Sequence, residues 1–91
     1  MPDLEYDASK SVSNRSKHGI DFEEAQELWD DPQVLEIQAR VEGEERYLIV
    51  GRVDEQHGST IVTYRSGRVR IISVRRARRG EVELYEDQDL R

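Results

Sequence analysis

Between Gln56 and Gly80 the chain carries Arg65, Arg68, Arg70, Arg75, Arg76, Arg78 and Arg79 and no carboxylate. A guanidinium stays charged and presents a planar fork that matches two phosphate oxygens. Such a run is suited to holding a phosphate backbone and poorly suited to moving protons. A smaller basic stretch, Ala8 to Ile20, holds Lys10, Arg15, Lys17 and His18, again without a carboxylate. His18 is the candidate for proton transfer, because an imidazole titrates near neutral pH without special help. Each feature has a second reading that stays open. The arginines also suit solvated faces paired with neighbouring acids, and a histidine just before Gly19 also suits a helix C-terminus, where it meets the helix dipole.

The formal net charge of −6 argues against a polyanionic ligand only if the charge is evenly spread. It is segregated instead, with acids crowded into Asp21 to Glu45 and Glu81 to Asp89. There is no cysteine, which removes disulfides and thiolate metal sites. Glu23, Glu24, Glu27, Asp30 and Asp31 follow no metal-binding spacing, and a charged helix face accounts for them, so no metal or other cofactor is expected. The start, MPDLEYDASK, is acidic and lacks the apolar core of a signal peptide, and no apolar run is long enough to span a bilayer. A soluble, cytoplasmic, single domain over residues 1–91 is the expectation.

These side chains need elements to position them. Leu4 to Tyr6 suits a short strand, and Asp7 an N-cap for a helix over Ala8 to Lys17, with Val12 on its apolar face and Gly19 ending it. Asp21 and Glu24 have capping-box spacing for a second helix reaching Trp29, with Phe22, Ala25, Leu28 and Trp29 on one face and Asp30 to Pro32 as its stop. Extended segments follow at Val34 to Ile37, Arg46 to Val53, Ser59 to Arg65 and Arg68 to Val74, with Gly43, Gly58 and Gly67 at the reversals. The short connections EGEE, DEQHG and SG predict an antiparallel meander. A last helix covers Ala77 to Asp87, with Val82, Leu84 and Tyr85 inward. The predicted class is α+β: two N-terminal helices, an antiparallel sheet of about four strands and a C-terminal helix.

Longer motifs add a resemblance. Tyr6, Asp7, Lys10, Asn14, Lys17, His18, Gly19, Phe22, Glu23, Glu24 and Ala25 occur in order, then Asp30 to Pro32, GEERYLIVG at Gly43 to Gly51, RVRIISVRRA at Arg68 to Ala77 and Leu84 to Glu86. In this order and spacing, from Tyr6 to Glu86, the sequence resembles the BrnT family of toxins. It departs at Tyr6, where the family more often has Trp, and at Val74, where Ala is common; both are mild changes of packing. The resemblance implies a RelE-like fold and a ribonuclease toxin of a type II toxin–antitoxin pair that blocks translation by cutting RNA. It also implies a ribbon-helix-helix, BrnA-like antitoxin as partner, with DNA reached only through the toxin–antitoxin complex.

Metal-free RNA cleavage of this kind uses the 2′-hydroxyl as nucleophile, so protons must be moved and phosphate charge stabilised. His18, Arg65, Arg70, Ser73 and Arg75 are the predicted catalytic set, with the arginines as clamps and Ser73 as a donor, where the resemblance places its RIIS-x-R signature. Lys17, Tyr64, Arg68 and Arg76 are the predicted RNA contacts. Strict alternation puts Ser73 and Arg75 on one face of the last strand and Arg70 on the other, so a bulge or strong twist is needed to unite them. Alternatives stand beside these roles. Arg70 suits an ion pair with Glu24 or Glu27, Tyr64 suits the core as well as base stacking, and Arg76, Arg78 and Arg79 suit solvent or the antitoxin. His57, at a predicted hairpin tip, is expected to be exposed and uninvolved. The competing function is a non-catalytic module whose Arg-rich strand docks a protein. DNA binding by this chain alone ranks below both, because no reading helix is visible.

Overall fold

Asp7 starts the first helix by accepting hydrogen bonds from the N–H groups of Ser9 (2.8 Å) and Lys10 (3.2 Å). In this computed structural model, which describes residues 2–41 and 43–88, helix α1 spans Ala8–His18. It ends at Gly19, whose φ of 75° is left-handed and whose N–H donates to the Arg15 carbonyl. A serine-rich helix has weak intrinsic propensity, so tertiary bonds have to hold it. They lie on a polar inward face. Ser11 Oγ accepts from the Phe22 N–H at 2.9 Å, and Asn14 bonds to the backbone of Ile20 and Val74. Val12, expected on an apolar face, is instead 73% exposed, because the packed side of α1 is given to these hydrogen bonds.

The capping box of Asp21 and Glu24 forms as expected and opens α2, Phe22–Ala25. The helix does not run on to Trp29 as a single α-helix. From Gln26 to Asp30 it tightens into a 3-10 turn, which rises faster per residue. This brings Leu28 against the glycine backbone of Gly51 and delivers Asp31 to a site where its carboxylate is fixed. That carboxylate accepts from the N–H groups of Gln33 (2.8 Å) and Arg52 (3.0 Å) and from the Tyr85 hydroxyl (2.5 Å).

The four expected strands form the antiparallel meander, each longer than its apolar pattern: β2 (Leu35–Val41), β3 (Glu44–Val53), β4 (Gln56–Arg65) and β5 (Arg68–Arg76). The sheet is not purely antiparallel, however. The short strand β1, Leu4–Glu5, adds a fifth member parallel to β5, giving the order β1-β5-β4-β3-β2. Two residues carry too little pattern to reveal which edge they join. Ser66 and Gly67, at φ 51° and 77°, make the two-residue β4–β5 turn whose twist suits a hairpin. Gly58 is not a reversal, because it lies within β4 opposite Gly51, and the chain turns at Asp54 (φ 57°) and Glu55. Glu42, in the predicted β2–β3 connection, lies outside the described residues.

Helices α1 and α2 pack on one face of the sheet, where Phe22, Ala25, Ile49, Val62, Val69, Ile71 and Val74 form the buried core and Tyr6 meets Phe22 edge-on. Each fully buried large side chain there contributes roughly 1.5–3 kcal/mol. The last helix, α3 (Arg79–Asp87), begins two residues later than expected and bonds to Ser59 and Arg75 on the opposite face. Tyr85 is its buried anchor, whereas Leu84, expected inward, is 51% exposed. Among the described residues no helix is long and apolar enough to cross a membrane.

Candidate functional site

Strand β5 carries most of the predicted site, and its register decides which side chains meet. Ser73 pairs with Ile61 but Ile71 with Val62, so Ile72 is an extra residue in a β-bulge. Val69, Ile71 and Val74 consequently all face the core. Arg68, Arg70, Ser73 and Arg75, opposite Arg65, Thr63, Ile61 and Ser59, share the other face. The bulge therefore does unite the faces of Arg70, Ser73 and Arg75. It does not make one pocket, since five residues of strand separate Arg70 from Arg75 by up to ~16 Å.

Most of this ladder is engaged within the chain. Arg68 lies 3.6 Å from Asp3 and Arg70 4.0 Å from Glu5, so the ion pair held open as the alternative for Arg70 is made with Glu5 rather than with Glu24 or Glu27. Glu24 is taken by Arg15 at 2.5 Å. Arg75 makes a two-pronged pair with Glu81, NH1 and NH2 each 2.8 Å from a carboxylate oxygen. The Arg75 bonds pull the Glu81 carboxyl down to about 2, against the opposing effect of burial and with further help from the Arg78 N–H and the Ser59 hydroxyl. The Arg75 guanidinium is held charged even more firmly than usual, first by the Glu81 hydrogen bonds. Arg65 is exposed beside the β4–β5 turn, far along the strand from Arg75.

Tyr64 belongs to the opposite face, paired with Val69, its ring 4.8 Å from that of Tyr47 and its hydroxyl bonded to Glu36. Burial, then the Glu36 hydrogen bond, pushes its phenol up to about 12. It stands on neither side of a shared arginine site.

A concavity lies elsewhere, at the end of the sheet where α1 stops. It is a cleft of about 480 Å³ whose wall includes His18, Ile20, Glu24, Val53, Gln56 and Arg76, with Asp54 and Glu55 at the β3–β4 turn. His57 and Arg75 also contribute to this wall, but their side chains are engaged with α3. The imidazole of His57 sits edge-on to Tyr85 at 5.2 Å, and the guanidinium of Arg75 is on Glu81. A second, shallower groove of about 200 Å³ runs between α1 and β5, lined by Lys10, Ser13, Asn14, Lys17, His18, Ile72 and Ser73. His18 stands on the boundary of both hollows.

Of the predicted residues, then, the cleft gathers His18, Arg75 and Arg76, and the groove gathers Lys17, His18 and Ser73. Arg65, Arg68 and Arg70 lie toward the far end of the sheet. Sequence reasoning missed Lys10 and Ser13 as partners of Lys17, although spacings of three and seven residues place all three on one helix face. It also expected His57 at an exposed tip, whereas the residue is half-buried within β4. No three histidine, aspartate or glutamate side chains among the described residues gather as metal ligands.

A sequence model of the family described as "Ribonuclease toxin, BrnT, of type II toxin-antitoxin system" matches residues 6–81. No curated protein matches the chain.

Proposed function

Since the chain belongs to the BrnT family, the ribonuclease toxins of type II toxin–antitoxin systems, we propose that it is a metal-independent endoribonuclease whose reaction takes place in the cleft at the end of α1. The observation that carries this reading is that His18, the last residue of α1, and Arg76, the last residue of β5, line one cleft of about 480 Å³. An imidazole can move a proton to or from the reacting oxygens. A guanidinium can stabilise charge on the phosphate as the neighbouring 2′-hydroxyl attacks. His18 and Arg76 are the pair assigned these roles, and no step requires a metal.

Arg75 takes part differently from its expected role as a clamp. With both terminal nitrogens on Glu81, it fastens α3 beside the cleft. Arg65, Arg68 and Arg70 are given no catalytic part, and the RelE-like description rests on the resemblance alone.

Membership of a type II family brings an antitoxin partner and RNA as substrate. That this antitoxin is a BrnA-like ribbon-helix-helix protein, through which alone the pair meets DNA, is supported by the motifs from Tyr6 to Glu86. A cytoplasmic site of action suits a substrate of that kind. The alternative of a docking module built on the β5 arginines is weakened by the carboxylates Asp3, Glu5 and Glu81, which already engage three of them.

The test is cleavage of a single-stranded RNA in excess chelator by the wild type, His18→Ala and Arg76→Ala, with folding followed by circular dichroism. Chelator-resistant cleavage that drops about 10²-fold or more in each folded variant is expected. Cleavage that needs added metal, or that both variants retain, overturns the assignment.

A further inference from the structure

The groove between α1 and β5 carries a second assignment, which rests on the nuclease reading above. Lys10, Ser13 and Lys17 stand on one exposed face of α1, and Ile72 and Ser73 form the opposite wall. Seven residues of helix set the two lysines about 10 Å apart along the axis. Neither lysine makes an ion pair among the described residues, in contrast to Arg15, Arg68, Arg70, Arg75 and Arg79, which all do. No carboxylate lines the groove, although the chain as a whole has a net charge of −6. His18 lines both the groove and the cleft.

A trough with two unpaired ammonium groups, two hydroxyls and no carboxylate, leading to a proton-transfer residue, is chemically matched to a phosphodiester backbone. We propose that this groove is the track for the RNA strand flanking the scissile phosphate, with Lys10 and Lys17 each neutralising a backbone phosphate and Ser13 and Ser73 donating hydrogen bonds. Ser73 reaches this wall at the edge of β5 beyond the two residues that β1 covers. Substrate recognition here is of backbone rather than base sequence, because nothing in the groove presents a pattern of donors and acceptors specific to one base.

The experiment is fluorescence anisotropy with a labelled, 2′-O-methylated single-stranded oligonucleotide, which the proposed chemistry cannot cleave, titrated at several salt concentrations. Wild type is compared with Lys10→Gln/Lys17→Gln and with the charge-matched control Arg52→Gln/Arg79→Gln, whose sites lie outside the groove. Each phosphate contact in a single strand contributes about 0.7 to the slope of log affinity against log salt, so the lysine variant should lose roughly 1.4 and the control far less. An unchanged slope, or an equal loss in the control, overturns the track. Weakened antitoxin binding with unchanged RNA binding overturns it in favour of a protein dock. Chelator-resistant cleavage of the unmodified RNA, measured in parallel, separates the two readings. If wild type does not cleave but the lysine variant loses slope, the cleft chemistry fails and the track stands.

Discussion

Asn14 of α1 bonds to the backbone of Val74 in β5 as a neighbouring strand would: its amide nitrogen donates to the Val74 carbonyl at 2.7 Å and its oxygen accepts the Val74 N–H at 3.2 Å. The same nitrogen donates to the Ile20 carbonyl at 2.7 Å. Strand β1 covers β5 only at Val69 and Arg70, so one side chain takes over the edge that β1 leaves open. Buried backbone groups left unpaired cost about 1–3 kcal/mol each. Asn14→Ala should therefore lower the unfolding free energy by about 2–4 kcal/mol in urea titration, and Asn14→Asp, which cannot donate, should not restore it. A loss below about 0.5 kcal/mol would mean that water replaces the amide without penalty.

This bond also marks where reading by pattern stopped. The meander, the Asp7 and Gly19 caps and the Asp21 capping box were all legible, because each depends on local chemistry or a two-residue period. No local spacing marks Asn14 and Ser11, in a serine-rich helix of weak propensity, as buried. Their partners, Val74 and Phe22, are set by tertiary packing that no local spacing encodes. The candidate site suffered in the same way. Strict alternation in β5 requires a bulge or strong twist to unite Arg70 with Arg75, and a bulge exists at Ile72. Whether a carboxylate already occupied each guanidinium was not readable, since Glu81 reaches Arg75 from the following helix and Glu5 reaches Arg70 from the far end of the chain.

The Arg75–Glu81 pair makes stability depend on pH in a defined window. Glu81 has a folded-state value of about 2 against the ordinary 4.5, so the folded chain holds its proton less readily than the unfolded chain. The stabilisation is complete above about pH 4.5 and is lost as pH falls through 2, and its size is on the order of 3 kcal/mol. Thermal unfolding between pH 7 and pH 2 should show this loss in wild type. Glu81→Gln should be less stable at pH 7 and show a flatter acid limb, and an unaltered limb would refute the linkage.

Gly51 and Gly58 face each other across β3 and β4 but differ in what lies above them. A Cβ on Gly51 would stand 3.2 Å from Leu28 Cδ2 and 3.3 Å from Asp31 Oδ2, crowding the 3-10 turn. On Gly58 the nearest atom would be 3.4 Å away, an ordinary contact. Gly51→Ala is expected to cost about 1–3 kcal/mol through overpacking. Gly58→Ala should fall within about 1 kcal/mol of wild type, gaining backbone rigidity. Equal melting temperatures for the two variants would show that the turn relaxes freely.

His18 and His57 both border the cleft, yet their surroundings assign them different work. His57 lies in β4, its ring edge-on to Tyr85, and Tyr85 in turn donates to Asp31. Three hydrogen bonds, from Tyr85 and the N–H groups of Gln33 and Arg52, outweigh burial and hold the Asp31 carboxyl below its ordinary value. This end of α3 is thus anchored through an aromatic contact that a phenyl ring can reproduce. His18 has no such neighbour, is exposed and lines both groove and cleft. His57→Phe should keep both stability and RNA cleavage within a few-fold of wild type. His18→Gln should retain the fold and lose cleavage by about 10²–10⁴-fold, the contribution expected of a proton-transfer group. Were His57→Phe to lose cleavage as heavily while binding RNA normally and melting normally, the proton would have to be moved from the α3 side of the sheet, and His18 would be left as a helix cap.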